Sequence, residues 1–304
     1  MGDIKRNRSP DRKSQKEQIK EITDKLEAGI QELFASDRYR EYLECMSKFH
    51  NYSLNNTLLI AMQRPDATLV AGYRAWQKNH GRTVRKGERG IKILAPCKFK
   101  VEVDSEKEGE DPAVVEMLSF RIVHVWDVSQ TDGKELPDLG VNELTGDVRE
   151  YRKLFNALSS ICPVKMQFKD IQSGAKGYYN DAEKRIAIKD GMSQLQTIKT
   201  MIHEMAHQKL HAKEALDPDH PTDRRTKEVE AESIAYTVCS RYGLDTSDYS
   251  FGYVAGWSSG KDTKELKASL ERIRNAADEM ITGIDQSMEQ QRKREQHRSR
   301  DQER

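Results

Sequence analysis

Cysteine is scarce. Four residues, Cys45, Cys97, Cys162 and Cys239, are spread through 304 and form no C-x-x-C pair, so neither a disulfide framework nor a cysteine-rich metal knuckle is available. Free, mostly buried thiols in a reducing cytosol are expected, and cysteine catalysis is set aside. Long apolar runs are also missing: nothing reaches the length of a bilayer span, and the N-terminus MGDIKRNRSPDRKSQKEQIK has no apolar stretch of the signal-peptide kind. Its Met-Gly start is no myristoylation signal, because Arg6 stands where Ser or Thr is required. The expectation is a cytoplasmic protein with no membrane partner. Net charge is absent too, at +1 overall, so only local charge can speak for a partner. The length accommodates two domains more readily than one.

What is present is organised around residues 193 to 211, SQLQTIKTMIHEMAHQKLH. Leu195, Ile198, Ile202, Met205 and Ala206 recur at helical spacing, and Ser193 with Gln196 three residues on reads as a capping box. The segment carries His203-Glu204-Met205-Ala206-His207, an H-E-x-x-H pattern. Histidines four apart project from one side of a helix, so both imidazoles can bind one zinc at about 2.0 to 2.1 Å. Glu204 lies about 100° round the axis from His203, within reach of an activated water without being a ligand.

A second helix follows, TKEVEAESIAYTVCSRYG, with Gly243 as its stop. On its wheel Glu228 and Glu232 fall on the apolar face and Glu230 opposite. Two inward carboxylates are costly unless a cation compensates them, and a zinc held by His203 and His207 supplies one. Glu228 is taken as the third ligand and Glu232, one turn on, as an acceptor for a ligand histidine's other ring nitrogen. The reverse assignment stays open. Glu230 is expected on a solvated face. His211 lies about 12 Å along the axis from His203, too far to share the ion, and is expected at the surface or cleft rim.

Earlier in the chain, residues 1 to 14 read as a polar tail. Helices are expected from about Lys16, around Tyr39 to Met46, and from about Ser53 to a stop at Pro65. The stretch VAGYRAWQKNHGRTVRKGERGIKILAPCKFK sets nine basic residues against Glu88 alone, with Tyr73 and Trp76 interleaved. Two readings stand side by side. Cations and aromatics suit a single nucleic-acid strand, phosphates meeting Lys and Arg while rings stack on bases. Equally, Tyr73 and Trp76 sit three apart on a helix and are core, with a solvated basic face. GIKILAP and VVEMLSFRIVHVWDV alternate as strands and form an antiparallel hairpin. The Gly, Pro and Asp-rich stretch from 131 to 147 is the domain boundary. Beyond it, GYYNDAEKRIAIKD reads as a second hairpin whose edge can accept an extended peptide. A final amphipathic helix carries Leu266, Leu270, Ile273, Ala277 and Ile281, and the charged tail from 285 is expected to be disordered.

The long motif NYSLNNTLLIAMQRPDATLVAGYRAWQKNHGRTVRKGERGIKILAP, with HEMAH, EVEAES and YSFGYVAGW in that order, resembles the ArdC-type antirestriction proteins of conjugative plasmids and transposons. The resemblance runs from about Lys16 to Ile281. It implies an α+β fold: an N-terminal helical and antiparallel-sheet domain binding single-stranded DNA (15 to 130), then a zincin-like metallopeptidase domain of the ImmA/IrrE kind (148 to 284). It further implies zinc at His203 and His207, Glu204 as catalytic base, and an acidic ligand from EVEAES. Related peptidases show Glu-x-Glu-Ala-Asn there, and this chain departs from them with Glu232 in the Asn place. For DNA the candidates are Tyr73, Arg74, Trp76, Lys78, Arg82, Arg85, Lys86, Arg89 and Lys92. Tyr178 or Tyr253 is a candidate to steady an oxyanion. Expected partners are single-stranded DNA and a peptide or protein substrate. The alternative is a DNA-protecting module whose zinc is purely structural.

Overall fold

The computed structural model describes residues 15–35, 38–103, 113–136, 148–216, 222–244, 251 and 254–302. Helix α1 (Gln15–Ala35) buries Leu26, Ile30, Leu33 and Phe34, and α2 (Arg38–Lys48) buries Tyr39, Tyr42, Leu43 and Met46. Helix α3 (Leu54–Gln63) starts where the Ser53 hydroxyl accepts the Asn56 N–H and ends before Pro65, as the sequence leads one to expect. Strand β1 (Val70–Ala71), helix α4 (Tyr73–His80) and strand β2 (Arg82–Val84) come next. Gly81 ends α4 at φ 62, a left-handed conformation that glycine adopts without a steric penalty.

Strands β3 (Ile91–Val103) and β4 (Ala113–Asp127) form the long antiparallel pair, with Ile91 opposite Val125. β1 adds to the end of β4, giving the order β1-β4-β3. Alternation turns Ile91, Ile93 and Val125 toward Cys45, Phe49, Ile60 and Val70, a small core under the sheet. The edge of β3 is covered by α3. Asn56 bonds the N–H and C=O of Leu94, both at 2.9 Å, and Gln63 bonds those of Lys92 at 3.0 and 2.9 Å. Each side-chain amide thereby stands in for a neighbouring strand. Strand β5 (Thr131–Gly133) pairs with β2, so the N-terminal sheet structure extends past residue 130 into the stretch read as linker. Residues 137 to 147 of that stretch lie outside the described ones.

The second half opens with α5 (Val148–Ile161), β6 (Lys165–Lys169), β7 (Gly177–Asn180) and β8 (Arg185–Lys189). β7 and β8 form the expected hairpin. β6, which the sequence did not announce, runs parallel to β8. The order β6-β8-β7 leaves β7 at an edge. Helices α6 (Gln194–His211), α7 (Arg224–Arg241), α8 (Val254–Ser258) and α9 (Thr263–Gln302) complete the chain. Helix α9 corrects the disordered tail expected from 285. Met288 is buried, Gln291 donates to the Lys153 carbonyl at 3.3 Å, and Lys153 meets Glu295 at 3.5 Å. Docking on α5 holds the helix where its charge alone suggested fraying.

The main core does not respect the boundary near 131 to 147. Leu26, Ile30, Phe34 and Tyr39 share one cluster with Leu154, Ile186, Met201, Ile234 and Leu270. Polar contacts repeat the theme: Tyr39 and Ser233 hydroxyls meet at 2.7 Å, and His50 meets Asp278 at 2.7 Å.

Candidate metal centre and nucleic-acid face

Both metal-site helices are capped. Ser193 accepts the Gln196 N–H at the start of α6, and Asp223 accepts the Thr226 N–H at 2.9 Å at the start of α7. The Trp257 indole pins that turn by donating to Thr226 at 2.9 Å. On α6 the Nε2 atoms of His203 and His207 lie 3.1 Å apart. The Glu228 Oε2 on α7 is 3.7 Å from each, and the three donor atoms all fall within 4.8 Å of one another. Tetrahedral zinc with bonds of about 2.0 to 2.1 Å separates its donors by about 3.3 Å, so this set fits the ion. Glu232 Oε2 stands 3.4 Å from the other nitrogen of His203, Nδ1.

These charges set one another. Burial works to lower His203, but hydrogen bonds with Glu228 and Glu232 outweigh it and hold the ring at about 9. The same histidines keep Glu228 well below the usual carboxylate range. Glu204 is only 7% exposed, and burial pushes it up to about 7 against the pull of His203 and a hydrogen bond from the Tyr179 backbone. That hydrogen bond needs β7 close to α6. A Cβ on Gly177 would come within 2.7 Å of Thr200 Cγ2 and 3.1 Å of Glu204 Cγ. Gly177→Ala should therefore lift β7 from α6 and lower the melting temperature by several degrees, a shift that calorimetry reads directly.

A cleft of about 790 Å³ opens over this group, walled by Gly177, Tyr178 and Tyr179 of β7 on one side and by Glu228 and Glu232 on the other. Tyr178 also carries the Lys169 ammonium 4.8 Å from its ring centroid. Tyr253 lies outside the described residues.

The placing of the acidic residues on the second helix is corrected: Glu228, expected on the buried face, is exposed, and Glu232 is half-buried. Glu230 is fully buried, because α9 packs on the side of α7 that a single helical wheel assigns to water. Ser269 and Arg272 of α9 meet it at 2.8 and 2.6 Å and supply what a buried carboxylate requires. His211 does line the cleft, but it is no surface residue: its side chain is 5% exposed, lying between His207 and Glu230.

In the N-terminal half, Trp76 cannot stack on a base. It is 0% exposed and donates its indole N–H to the Trp126 carbonyl at 2.9 Å. Trp76→Ala should cost about 3 to 5 kcal/mol, read as a lower urea midpoint. Arg82 is occupied by Thr131, Gly133 and Lys134, and Arg85 by Glu88, Asp132 and Ser129. Both guanidinium groups fasten β5 and the turn before it. Arg74, Lys78, Lys86, Arg89 and Lys92 are exposed.

The exposed aromatic surface is shared between the start of α4 and β4. Tyr73, 46% exposed, meets Trp126 edge-on with centroids 5.9 Å apart, and His124 lies 6.3 Å from Trp126. Lys92 stands directly opposite His124 in the register. Gly90 makes room for this layer, since a Cβ there would fall 2.9 Å from His124 and 3.0 Å from the Trp126 ring. Farther along the strand Phe120 and Leu118 are exposed. The alternation in FRIVHVWDV already carried this signal, which the basic run upstream drew attention away from.

Paired histidines on one helix, a carboxylate on the next and an edge strand beside them describe a zincin-type domain within an α+β fold. Residues 163–242 match the IrrE N-terminal-like domain of the M78 peptidases, and residues 12–126 match the N-terminal domain of anti-restriction factor ArdC. The chain thus joins an ArdC-type N-terminal domain to an IrrE-like peptidase domain, and the resemblance read from the sequence holds. It is 30% identical to an uncharacterized protein of Bacillus anthracis over 97% of its own length, and spans 56% of that relative. Two crystal structures of the antirestriction ArdC protein from the R388 plasmid are also similar. The metal-free form is 25% identical, with 78% of this chain and 84% of that one covered and a TM-score of 0.47. The Mn(II)-bound form is 20% identical, with 88% and 97% covered and a TM-score of 0.49. Among the described residues no helix is long and apolar enough to cross a membrane.

Proposed function

We propose that this is an antirestriction protein of the ArdC kind, combining a zinc-dependent peptidase site with a surface for single-stranded DNA. The observation that carries the peptidase reading is the convergence of His203, His207 and Glu228 beside the buried Glu204. These three residues hold the ion; imidazole donors favour zinc over manganese. Zinc in such a set supplies Lewis acidity toward water and an amide carbonyl. Glu204 takes the proton of the attacking water and returns it to the leaving amine. An extended substrate lies along edge strand β7, adding its backbone to the sheet through the groups that Glu204 does not occupy. The first test is metal content and cleavage. Full-length protein should carry one zinc per chain and cut a combinatorial peptide library until a chelator is added. Absence of stoichiometric metal would end the peptidase reading.

The pH dependence of metal uptake follows from His203. In the metal-free chain the ring keeps its proton up to about pH 9, and a ligand histidine must give it up. Affinity should therefore rise with pH, by up to about tenfold per unit between pH 6.5 and 9. Chelator competition at several pH values measures it, and a flat profile counts against His203 as a ligand.

The DNA reading is carried by the Tyr73, Trp126 and His124 layer with Lys92 beside it. Rings stack on unpaired bases irrespective of sequence, and lysines meet phosphates. Affinity for single strands should fall steeply with salt. The zinc site would be purely structural if the metal binds and no peptide is cut.

A further inference from the structure

The chain of contacts behind His207 is not needed to bind an ion, yet its two middle members, His211 and Glu230, have buried side chains, anchored by a half-exposed Arg272. His207 Nδ1 lies 2.9 Å from His211 Nδ1. The other nitrogen of His211, Nε2, lies 3.1 Å from Glu230 Oε2. Glu230 Oε1 accepts from Ser269 at 2.8 Å and from Arg272 Nε and Nη2 at 3.0 and 2.6 Å. The same guanidinium reaches Ser269 Oγ at 3.0 Å. Glu230 is fully buried.

We propose that Glu230 and His211 are positioning residues for His207, fixing its tautomer so that a bare Nε2 faces His203 and Glu228, and that α9 anchors them through Arg272 and Ser269. The proton count runs in one direction. A guanidinium keeps Glu230 ionised, so its oxygens only accept. His211 must then donate from Nε2, which leaves a lone pair on Nδ1 of the neutral ring. A contact of 2.9 Å between the two Nδ1 atoms requires one donor, and His207 is the ring with a proton to offer. Neutral His207 with its proton on Nδ1 has its lone pair on Nε2, the atom that lies 3.1 Å from His203 Nε2. A hydrogen bond made by one ring nitrogen sets which form the other presents to a metal.

The two ligand histidines are thus served differently. His203 has the Glu232 carboxylate at its Nδ1. His207 has a second imidazole, backed by a carboxylate, backed by an arginine from another helix. The anchor lies outside residues 163–242, the part that matches the peptidase family. Without α9, Glu230 would be a buried carboxylate lacking its arginine, and His211 would lose its fixed acceptor.

This inference rests on the metal reading, but its test separates the two. Metal-stripped full-length protein with 15N-labelled histidines reports each ring's tautomer by long-range proton–nitrogen NMR. The expected result is a proton on Nδ1 of His207 and on Nε2 of His211; a proton on Nε2 of His207 overturns the proposal. Zinc affinity by chelator competition is the second readout. His211→Phe should weaken binding about 10- to 100-fold, and His211→Gln, whose amide oxygen can still accept, should recover most of the loss. Wild-type affinity in a folded His211→Phe variant overturns the proposal. Should that variant fail to fold, the wild-type spectrum decides alone. A wild-type chain that binds no zinc but shows the expected tautomers refutes the metal reading and supports the positioning role.

Discussion

Glu204→Gln should abolish peptide cleavage while leaving the bound zinc in place. The side chain is buried beside His203, accepts the Tyr179 backbone N–H, and makes up none of the three-donor set. Its amide counterpart keeps the shape and can still accept from Tyr179, but cannot take a proton from water. A general base of this kind contributes about 10² to 10⁴ in rate, so turnover should fall by at least that range. Metal analysis of the same sample should still give one zinc per chain. The substitution also removes a carboxylate whose burial raises it to about 7. For metal-free protein the sign is definite. Between the ordinary carboxylate range and about pH 7 the folded Glu204 holds a proton that the unfolded chain has lost, so stability falls as pH rises through that window. The Gln variant should lack that part of the decline, which melting curves across pH 5 to 8 will show. Cleavage at the wild-type rate would remove Glu204 from the mechanism.

Replacing Tyr73 and His124 together by Ala should lower single-stranded DNA affinity on the order of 10² to 10³-fold, since each stacked base contributes about 1 to 3 kcal/mol. Both side chains are exposed and belong to the layer around Trp126, so the fold should tolerate their loss. The salt slope should be unchanged, because rings rather than cations are removed, whereas Lys92→Glu should flatten it. Fluorescence anisotropy with a labelled oligonucleotide at several salt concentrations distinguishes the two. Unaltered binding by the double variant would move the DNA surface elsewhere.

Much of this arrangement was written locally. H-E-x-x-H spacing, the Ser193 cap, the Gly243 stop and the common face of Glu228 and Glu232 are legible locally, and the structure brings His203, His207, Glu228 and Glu232 together. The wheel nevertheless placed the buried side of α7 wrongly, Glu228 being exposed and Glu230 buried. The long hairpin follows from alternation and its register. What escaped depends on a third body. Glu230 looked solvent-facing because the wheel of α7 contains no information about α9, and His211, at the end of α6, looked peripheral because its partner Glu230 had been assigned to water. Trp76 looked available because its aromatic neighbours were counted along the chain, while its true partner, the Trp126 carbonyl, lies 50 residues away. Arg82 and Arg85 looked free because β5, the element they fasten, sits in a stretch whose glycine, proline and aspartate suggested only a linker. β6 was missed since a parallel partner leaves no turn signature beside it.

The shared helical core has a consequence for how such a chain can be cut and rejoined. Residues matching two separate families contribute to one interior, with Phe34 and Tyr39 from the first half seated among Trp257, Phe251 and Ser233 of the second. Genetic exchange that traded either half at the intervening stretch would strand those aromatic rings in water. A viable recombinant must carry α1 and α2 with the IrrE-like half, or inherit a partner whose helices already match them.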